Sequence, residues 1–251
     1  MDPIKVQVST CIHQDNPEIL RAWLDGLLGS YDEELELSFS FALHAPLGYE
    51  TDLIHEYLPN AQTYVVESDV APAERTIDFH HWTPEAVRVV ATAKDRLLHE
   101  AVEDGADYVF FVDSDTVIQP ETIQHLVSLQ KPVCAELLWT RWRMELEPRP
   151  NAWDGDGYRL STTTITKLHR EGTYRVGMVG GCLLVSRAAV ERGLSYELLR
   201  TLSLHGEDRH FSIRAEVLGI DIWIDTCYPA FHIYRDWDLE KLGKVLESWQ
   251  K

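Results

Sequence analysis

The apolar positions of this chain fall into two rhythms that take turns along its first 140 residues. "IKVQVST" (4–10) reads as a buried strand. "NPEILRAWLDGLLG" (16–29) then shows the 3.6-residue period of a helix, with Asn16 as N-cap and Pro17 at the first helical position. "ELSFSFAL" (36–43) alternates as a strand does. "TDLIHEYL" (51–58) predicts a short helix capped by Thr51 and stopped by Pro59, and "QTYVVE" (62–67) predicts a third strand. Strands alternating with helices in this way point to a parallel sheet with helices on its faces. Residues 68–84 carry two prolines and no period, which predicts a long functional loop. The longest helix spans 84–105, entered at Pro84 and ended by Gly105. A strand over 107–112, a helix over 120–129 and a strand from 131 to 139 follow.

Beyond residue 140 the pattern loosens. "TRWRMELEPRPNAWDGDG" (140–157) predicts a loop, and 158–178 short antiparallel strands. A strand and a short helix follow over 180–193, then a helix over 206–219, a strand over 220–225 and a closing helix over 239–249. There is no repeat, low-complexity segment or linker. The expected architecture is one α/β domain over 1–251, Rossmann-like, with a mostly parallel central sheet flanked by helices and a small antiparallel element in the C-terminal half.

Composition narrows the function. The 251 residues are 45% hydrophobic and 25% charged, ordinary for a globular chain. A net charge of −18 argues against nucleic acid as a partner, because phosphates need cations to neutralise them. If the substrate is anionic, the site needs a local remedy such as a metal ion or a few placed cations. The start has no basic stretch leading into an apolar one, and no apolar run approaches the roughly 20 residues that span a bilayer. The expectation is a cytoplasmic protein with no transmembrane segment. Cys11, Cys134, Cys182 and Cys227 lie far apart without a CxxC pair. They read as buried reduced thiols, and spacing gives no support to a zinc site.

The most informative stretch is "YVFFVDSD" (108–115). A buried parallel strand ends in Asp113, Ser114 and Asp115, and ligands of open parallel sheets bind at such carboxyl ends. Side chains two apart on extended backbone face the same way. Two carboxylates converging there suit a hard divalent cation, although Asp and Ser also favour plain turns. Lys94 falls on the apolar face of the long helix. It is either an edge lysine that snorkels or a cation reaching toward a nucleotide or the aspartates. Gly180 and Gly181 precede an apolar strand, as a bulge or as a close approach to a ligand. Glu207 and Asp208 open a helix, where acids usually complement the dipole but one could serve as a general base. His232 is a lone histidine, a metal ligand only if the fold brings it to Asp115. His80, His81 and Trp82 could flank a ligand, and Trp139 and Trp142 could form a sugar platform or belong to the core.

The segments "AKDRLLHEAVEDGADYVFFVDSD" (93–115), "VGGCLLVSRAAVERG" (179–193), "GEDRHFSIRAEVLGIDIWIDT" (206–226) and "FHIY" (231–234) occur in the order found in nucleotide-sugar-dependent glycosyltransferases of the GT-A fold. The chain resembles these, in particular the family-2-like bacterial enzymes and the fungal Anp1-type mannosyltransferases. The resemblance implies roles. Asp115 would ligate Mn²⁺ (or Mg²⁺), and Asp113, with Ser114 between them, would touch the ribose or a metal-bound water. His232 would complete the metal site, and Lys94 would face the nucleotide. Gly180 and Gly181 would floor the donor-sugar pocket, and Asp208 would be the base of an inverting hexosyltransferase, with Glu207 beside it. Residues 1–115 would form the nucleotide half and 116–251 the donor-sugar and acceptor half. The N-terminal third departs from the pattern: "STCIHQ" and "HAPLG" lack the usual base-binding aspartate. This leaves a UDP- or a GDP-sugar open, with Thr10 and His44 as candidates by position. The acceptor (a glycan, lipid-linked sugar, peptide or small molecule) is also open. A retaining transferase, a nucleotidyltransferase and a non-catalytic nucleotide-sugar-binding module stand as alternatives.

Overall fold

Val6, Val8 and Ile12 on one strand, and Leu20, Trp23, Leu24 and Leu27 on the helix after it, are all essentially solvent-free. Burying them against each other sets the first layer contact of the molecule, β1 (Ile4–Ile12) under α1 (Pro17–Leu28). The computed structural model describes residues 3–31, 34–75, 80–155, 157–203 and 206–250. After α1 come β2 (Leu35–His44), α2 (Tyr49–Tyr57), β3 (Gln62–Val66), β4 (Glu74–Arg75), β5 (His80–His81), α3 (Pro84–Glu103), β6 (Tyr108–Phe111), β7 (Thr116–Val117), α4 (Thr122–Ser128) and β8 (Val133–Thr140). Then follow β9 (Arg149–Pro150), β10 (Ala152–Trp153), α5 (Thr162–Leu168), β11 (Thr173–Val176), β12 (Met178–Val179), β13 (Leu183–Ser186), α6 (Arg187–Glu191), α7 (Glu207–Val217), β14 (Ile222–His232) and α8 (Leu239–Trp249).

The main sheet runs β11-β14-β8-β13-β6-β1-β2-β3. Its β6-β1-β2-β3 side is parallel, as is the β14–β8 pair, while β13 runs antiparallel between β6 and β8, and β11 antiparallel to β14. The expected α/β class, with a mostly parallel sheet and a smaller antiparallel element, is the observed one. One sheet face is covered by α1, α2 and α4, the other by α3, α6 and α7. Helix α8 packs Leu239, Leu242 and Trp249 near Ile19 and Ile233.

Four local expectations are corrected. Helix α2 begins at Tyr49 behind Gly48, two residues before Thr51, and Glu50 turns back to accept from the Leu47 amide. Residues 162–168, expected as a strand, are helical. Ser161 caps them by accepting from the Thr164 amide at 3.2 Å, so a cap outweighs the strand preference of four threonines. Strand β14 does not stop at residue 225. Its pairing with β8 breaks between Asp225 and Ala230, and the strand then continues to His232. The loop expected at 68–84 holds the pair β4–β5, and the one expected at 140–157 holds β9 and β10, which pair with β8 and β12. The side chains of His80 and His81 lie outside the described residues.

Candidate functional site

The site is assembled where β6 ends. The Asp113 carbonyl accepts from the Thr116 amide at 2.9 Å, closing a turn that delivers the chain into β7. β7 pairs antiparallel with the end of β14, Thr116 against His232 and Val117 against Phe231, and the Ile233 amide donates to the Asp115 carbonyl. That ladder is the reason two distant side chains meet: His232 Nε2 lies 3.3 Å from Asp115 Oδ1. On the far side of the ring, Thr140 Oγ1 lies 2.6 Å from His232 Nδ1, so the hydroxyl occupies one ring nitrogen and leaves the other directed at Asp115.

Lys94 leaves the apolar face of α3 and is only 4% exposed. Its ammonium sits 2.7 Å from Glu207 Oε1, 3.7 Å from Asp113 Oδ1 and 5.7 Å from the centre of the Tyr196 ring. It therefore faces the aspartates and is no edge lysine. Asp208 abuts Gly180: a Cβ at that glycine would sit 2.5 Å from Asp208 Oδ2. Gly181 has φ +72 and lies near Asp113, so backbone freedom is needed at 181 and empty space at 180. Neither glycine lines the cavity itself; Asn151 holds their segment in place by donating to the Gly180 and Glu136 carbonyls and accepting from the Leu138 amide.

The electrostatics separate the two neighbouring acids. Burial opposes charge on Glu207, but the Lys94 charge and hydrogen bond overcome it and hold its carboxyl below the usual range. Desolvation and the neighbouring charge of Glu207 push the partly buried Asp208 well above that range. Desolvation also raises Asp113, with Lys94 pulling the other way and Asp115 and Glu207 adding to the rise. Lys94, surrounded by Glu207, Asp113 and Asp208, stays charged against its burial. Burial pushes the Cys11 thiol up to about 12, so it is inert as a nucleophile.

These groups open into a cavity of about 710 Å³. Lys94, Asp113, Ser114, Asp115, Glu207, Asp208 and His232 line one part of it, and Trp82, Trp142, Trp153, Tyr158, Tyr234 and Arg149 another. His44 lines it too, with Nε2 2.9 Å from the Val70 carbonyl. Thr10 does not: it is buried in β1, and Cys11, His13 and Gln14 form the wall in its place. Successive strand residues face opposite ways, so a one-residue error of position reverses the side. Trp139 is likewise absent, stacked on His169 with ring centres 4.6 Å apart. Sequence reading missed Arg149, Trp153 and Tyr158, which stand in an irregular segment with no period to mark a face. Only the fold brings Tyr158 to Gly206, where a Cβ would meet its hydroxyl at 2.6 Å.

The residues present fit a divalent cation in part. Asp115 and His232 offer an oxygen and a held imidazole nitrogen side by side. Asp113 is turned to Lys94, and Asp113, Asp115 and His232 do not bring three ligand atoms within 4.8 Å of one another. The lysine charge accounts for that turn. Among the described residues, no helix is long and apolar enough to cross a membrane.

Comparison with known proteins adds four findings. The family described as Glycosyltransferase family 25, N-terminal domain, matches residues 50–224. Procollagen galactosyltransferase 1-A of Xenopus laevis is 30% identical over 182 residues, which is 67% of this chain and 28% of that protein. A probable inactive glycosyltransferase 25 family member 3 of Rattus norvegicus is 34% identical over 113 residues, 42% of this chain and 19% of that protein. The chain thus spans less than a third of these relatives. Among solved structures, S. aureus TarS 1–349 superposes with a TM-score of 0.54 at 12% identity, over 98% of this chain and 65% of that one. Its complex with UDP-GlcNAc gives 0.52 at 13%, over 91% and 58%. This likeness shows a shared fold.

Proposed function

The chain belongs to the glycosyltransferase family 25 N-terminal domain family, and on that premise we propose that it moves a hexosyl group from a UDP-sugar to an acceptor hydroxyl, with inversion and with the help of Mn²⁺ or Mg²⁺. The UDP-GlcNAc complex of TarS and the galactosyltransferase name of the Xenopus relative support the donor class. In this reading the chain is one domain. Residues 1–115, with His44 in the wall, receive the nucleotide, and 116–251 receive the donor sugar and the acceptor. Four free cysteines suit the reducing cytoplasm this reading places the protein in.

The observation that carries the proposal is the division of labour between Glu207 and Asp208 at the cavity floor. Glu207 is committed to Lys94 at 2.7 Å, and Asp208 is left with a raised pKa, which makes its carboxylate the stronger proton acceptor of the two. Asp208 takes the acceptor hydroxyl proton as that oxygen bonds to the anomeric carbon, and the bond to the diphosphate oxygen breaks with its electrons going to the leaving group. Lys94 keeps Glu207 charged and lies 3.7 Å from Asp113. Gly180 leaves room for Asp208, and the aromatic wall of Trp142, Trp153 and Tyr158 offers faces on which sugar rings stack. Asp115 and His232 would hold the cation, with Thr140 fixing the ring, and the cation would neutralise the departing diphosphate.

Release of UDP from UDP-galactose, UDP-glucose and UDP-GlcNAc, with and without Mn²⁺ and a panel of acceptors, tests the reading. Asp208→Asn is expected to lower kcat by about 10²–10⁴ while donor affinity holds. Glu207→Gln is expected to cost less. If Asp208→Asn costs under tenfold and the product keeps the donor's anomeric configuration, the retaining alternative replaces this one. The rat relative described as inactive gives a second reading, a donor-binding module without transfer. It wins if UDP-sugars bind but neither transfer nor hydrolysis occurs with any acceptor.

A further inference from the structure

On the α4 side of the sheet, none of it in the cavity, three side chains of different chemistry converge. His125 comes from α4, and Asp225 and Cys227 come from β14. Their ligand atoms all lie within 4.8 Å of one another, and His125 Nε2 is 3.0 Å from Asp225 Oδ1. The interrupted register between Asp225 and Ala230 is what makes this possible, because it lifts residues 226–229 off the β8 ladder at this point. The pocket is built. Asp225 is fully buried and fixed by the Thr173 hydroxyl at 2.7 Å and the Cys227 amide at 2.8 Å, and the Tyr228 ring lies 4.9 Å from the His125 ring.

A second observation points the same way. Glu136 is the register partner of Asp225 on the neighbouring strand, so both side chains emerge on the same sheet face. Glu136 is 0% exposed, and its Oε2 has no hydrogen-bond partner. An unpartnered buried carboxylate oxygen beside a second buried carboxylate is costly unless a proton or a cation lies there. His125 and Cys227 are only partly buried, which leaves an entry path.

We propose that His125, Asp225 and Cys227 form a zinc site separate from the donor cavity, with Glu136 beside it as the acceptor for a bound water. Thiolate with imidazole and carboxylate is a zinc donor set, and the sulfur disfavours Mg²⁺ and Ca²⁺. On binding, the Cys227 thiol loses its proton to solvent. Metal binding at His125 Nε2 leaves the ring hydrogen on Nδ1, and Asp225 Oδ1 turns from the ring to the metal. The site would pin the break in β14 and, through it, the strand end that carries His232. Cysteine spacing could not reveal it, since His125 and Asp225 stand 100 residues apart.

Cobalt titration of the whole protein tests the proposal, because Co²⁺ bound to a thiolate gives a sulfur-to-metal charge-transfer band that oxygen and nitrogen ligands do not. The band should grow to one equivalent in wild type, in Asp115→Asn and in Cys11→Ser, and Zn²⁺ should erase it. It should be absent from Cys227→Ser and from His125→Asn, each checked for folding by circular dichroism. A wild type without the band overturns the proposal with no variant needed. A band that persists in folded Cys227→Ser, or that vanishes in Cys11→Ser, overturns it too.

Discussion

At the level of single residues, the site is a problem of like charges close together, solved by assigning each a different state. Lys94 takes Glu207, and Asp208 carries the cost. A carboxyl held above its ordinary range binds a proton in the folded protein where the unfolded chain has released it. Its contribution is therefore fully present below the ordinary carboxylate pKa and is lost as pH rises through the raised one. Asp208→Asn removes a charge that burial opposes. It should therefore raise Tm at pH 7 by about 2–4 °C, the equivalent of ~1 kcal/mol in a chain of this size. The gain should vanish near pH 4, and thermal melts across that range check it. Gly180→Ala tests the same corner by steric means. The new Cβ would sit 2.5 Å from Asp208 Oδ2, a side-chain end that can swing aside. The fold should hold within a few degrees while kcat falls by about 10²-fold, the cost of misplacing a reacting group by an ångström.

At the level of elements, the decisive piece is the pairing of two-residue β7 with the far end of β14. It is short, yet it brings Asp115 to His232. Thr140, the last residue of β8, then fixes the imidazole from behind. Thr140→Val keeps the shape and removes the hydroxyl. Mn²⁺ affinity should weaken by about 10–100-fold, and Thr140→Ser should restore it. Isothermal titration with Mn²⁺ reads both. Equal affinity in the valine variant would separate His232 from the metal.

Over the whole molecule, the proposed function asks an acidic chain of net charge −18 to receive a diphosphate. Lys94 is already engaged with Glu207 and Asp113, so in that proposal the cation would carry the neutralisation. Differential scanning fluorimetry with UDP-sugars should show stabilisation by about 2.7 kcal/mol at a hundred times Kd in the presence of Mn²⁺. The shift should collapse in EDTA and in Asp115→Asn. A full shift in EDTA would mean that protein groups alone neutralise the donor.

The local and the periodic were legible in the sequence. Asn16 and Pro17 open α1, apolar spacing carries α3 with Lys94 on its buried face, and Asp113 and Asp115 end a buried strand. Each follows from backbone geometry and side-chain period within a few residues, so neighbours in sequence suffice. Where propensity and capping disagreed, as in the threonines of α5, the sequence misled. What only the tertiary structure decided is long-range pairing. It settled that β14 runs on to His232, that Lys94 chooses Glu207, that Arg149 and Tyr158 wall the cavity, and that Cys227 meets His125 and Asp225. A register between strands a hundred residues apart is set by the summed burial of both sheet faces, and no local stretch of chain encodes that sum.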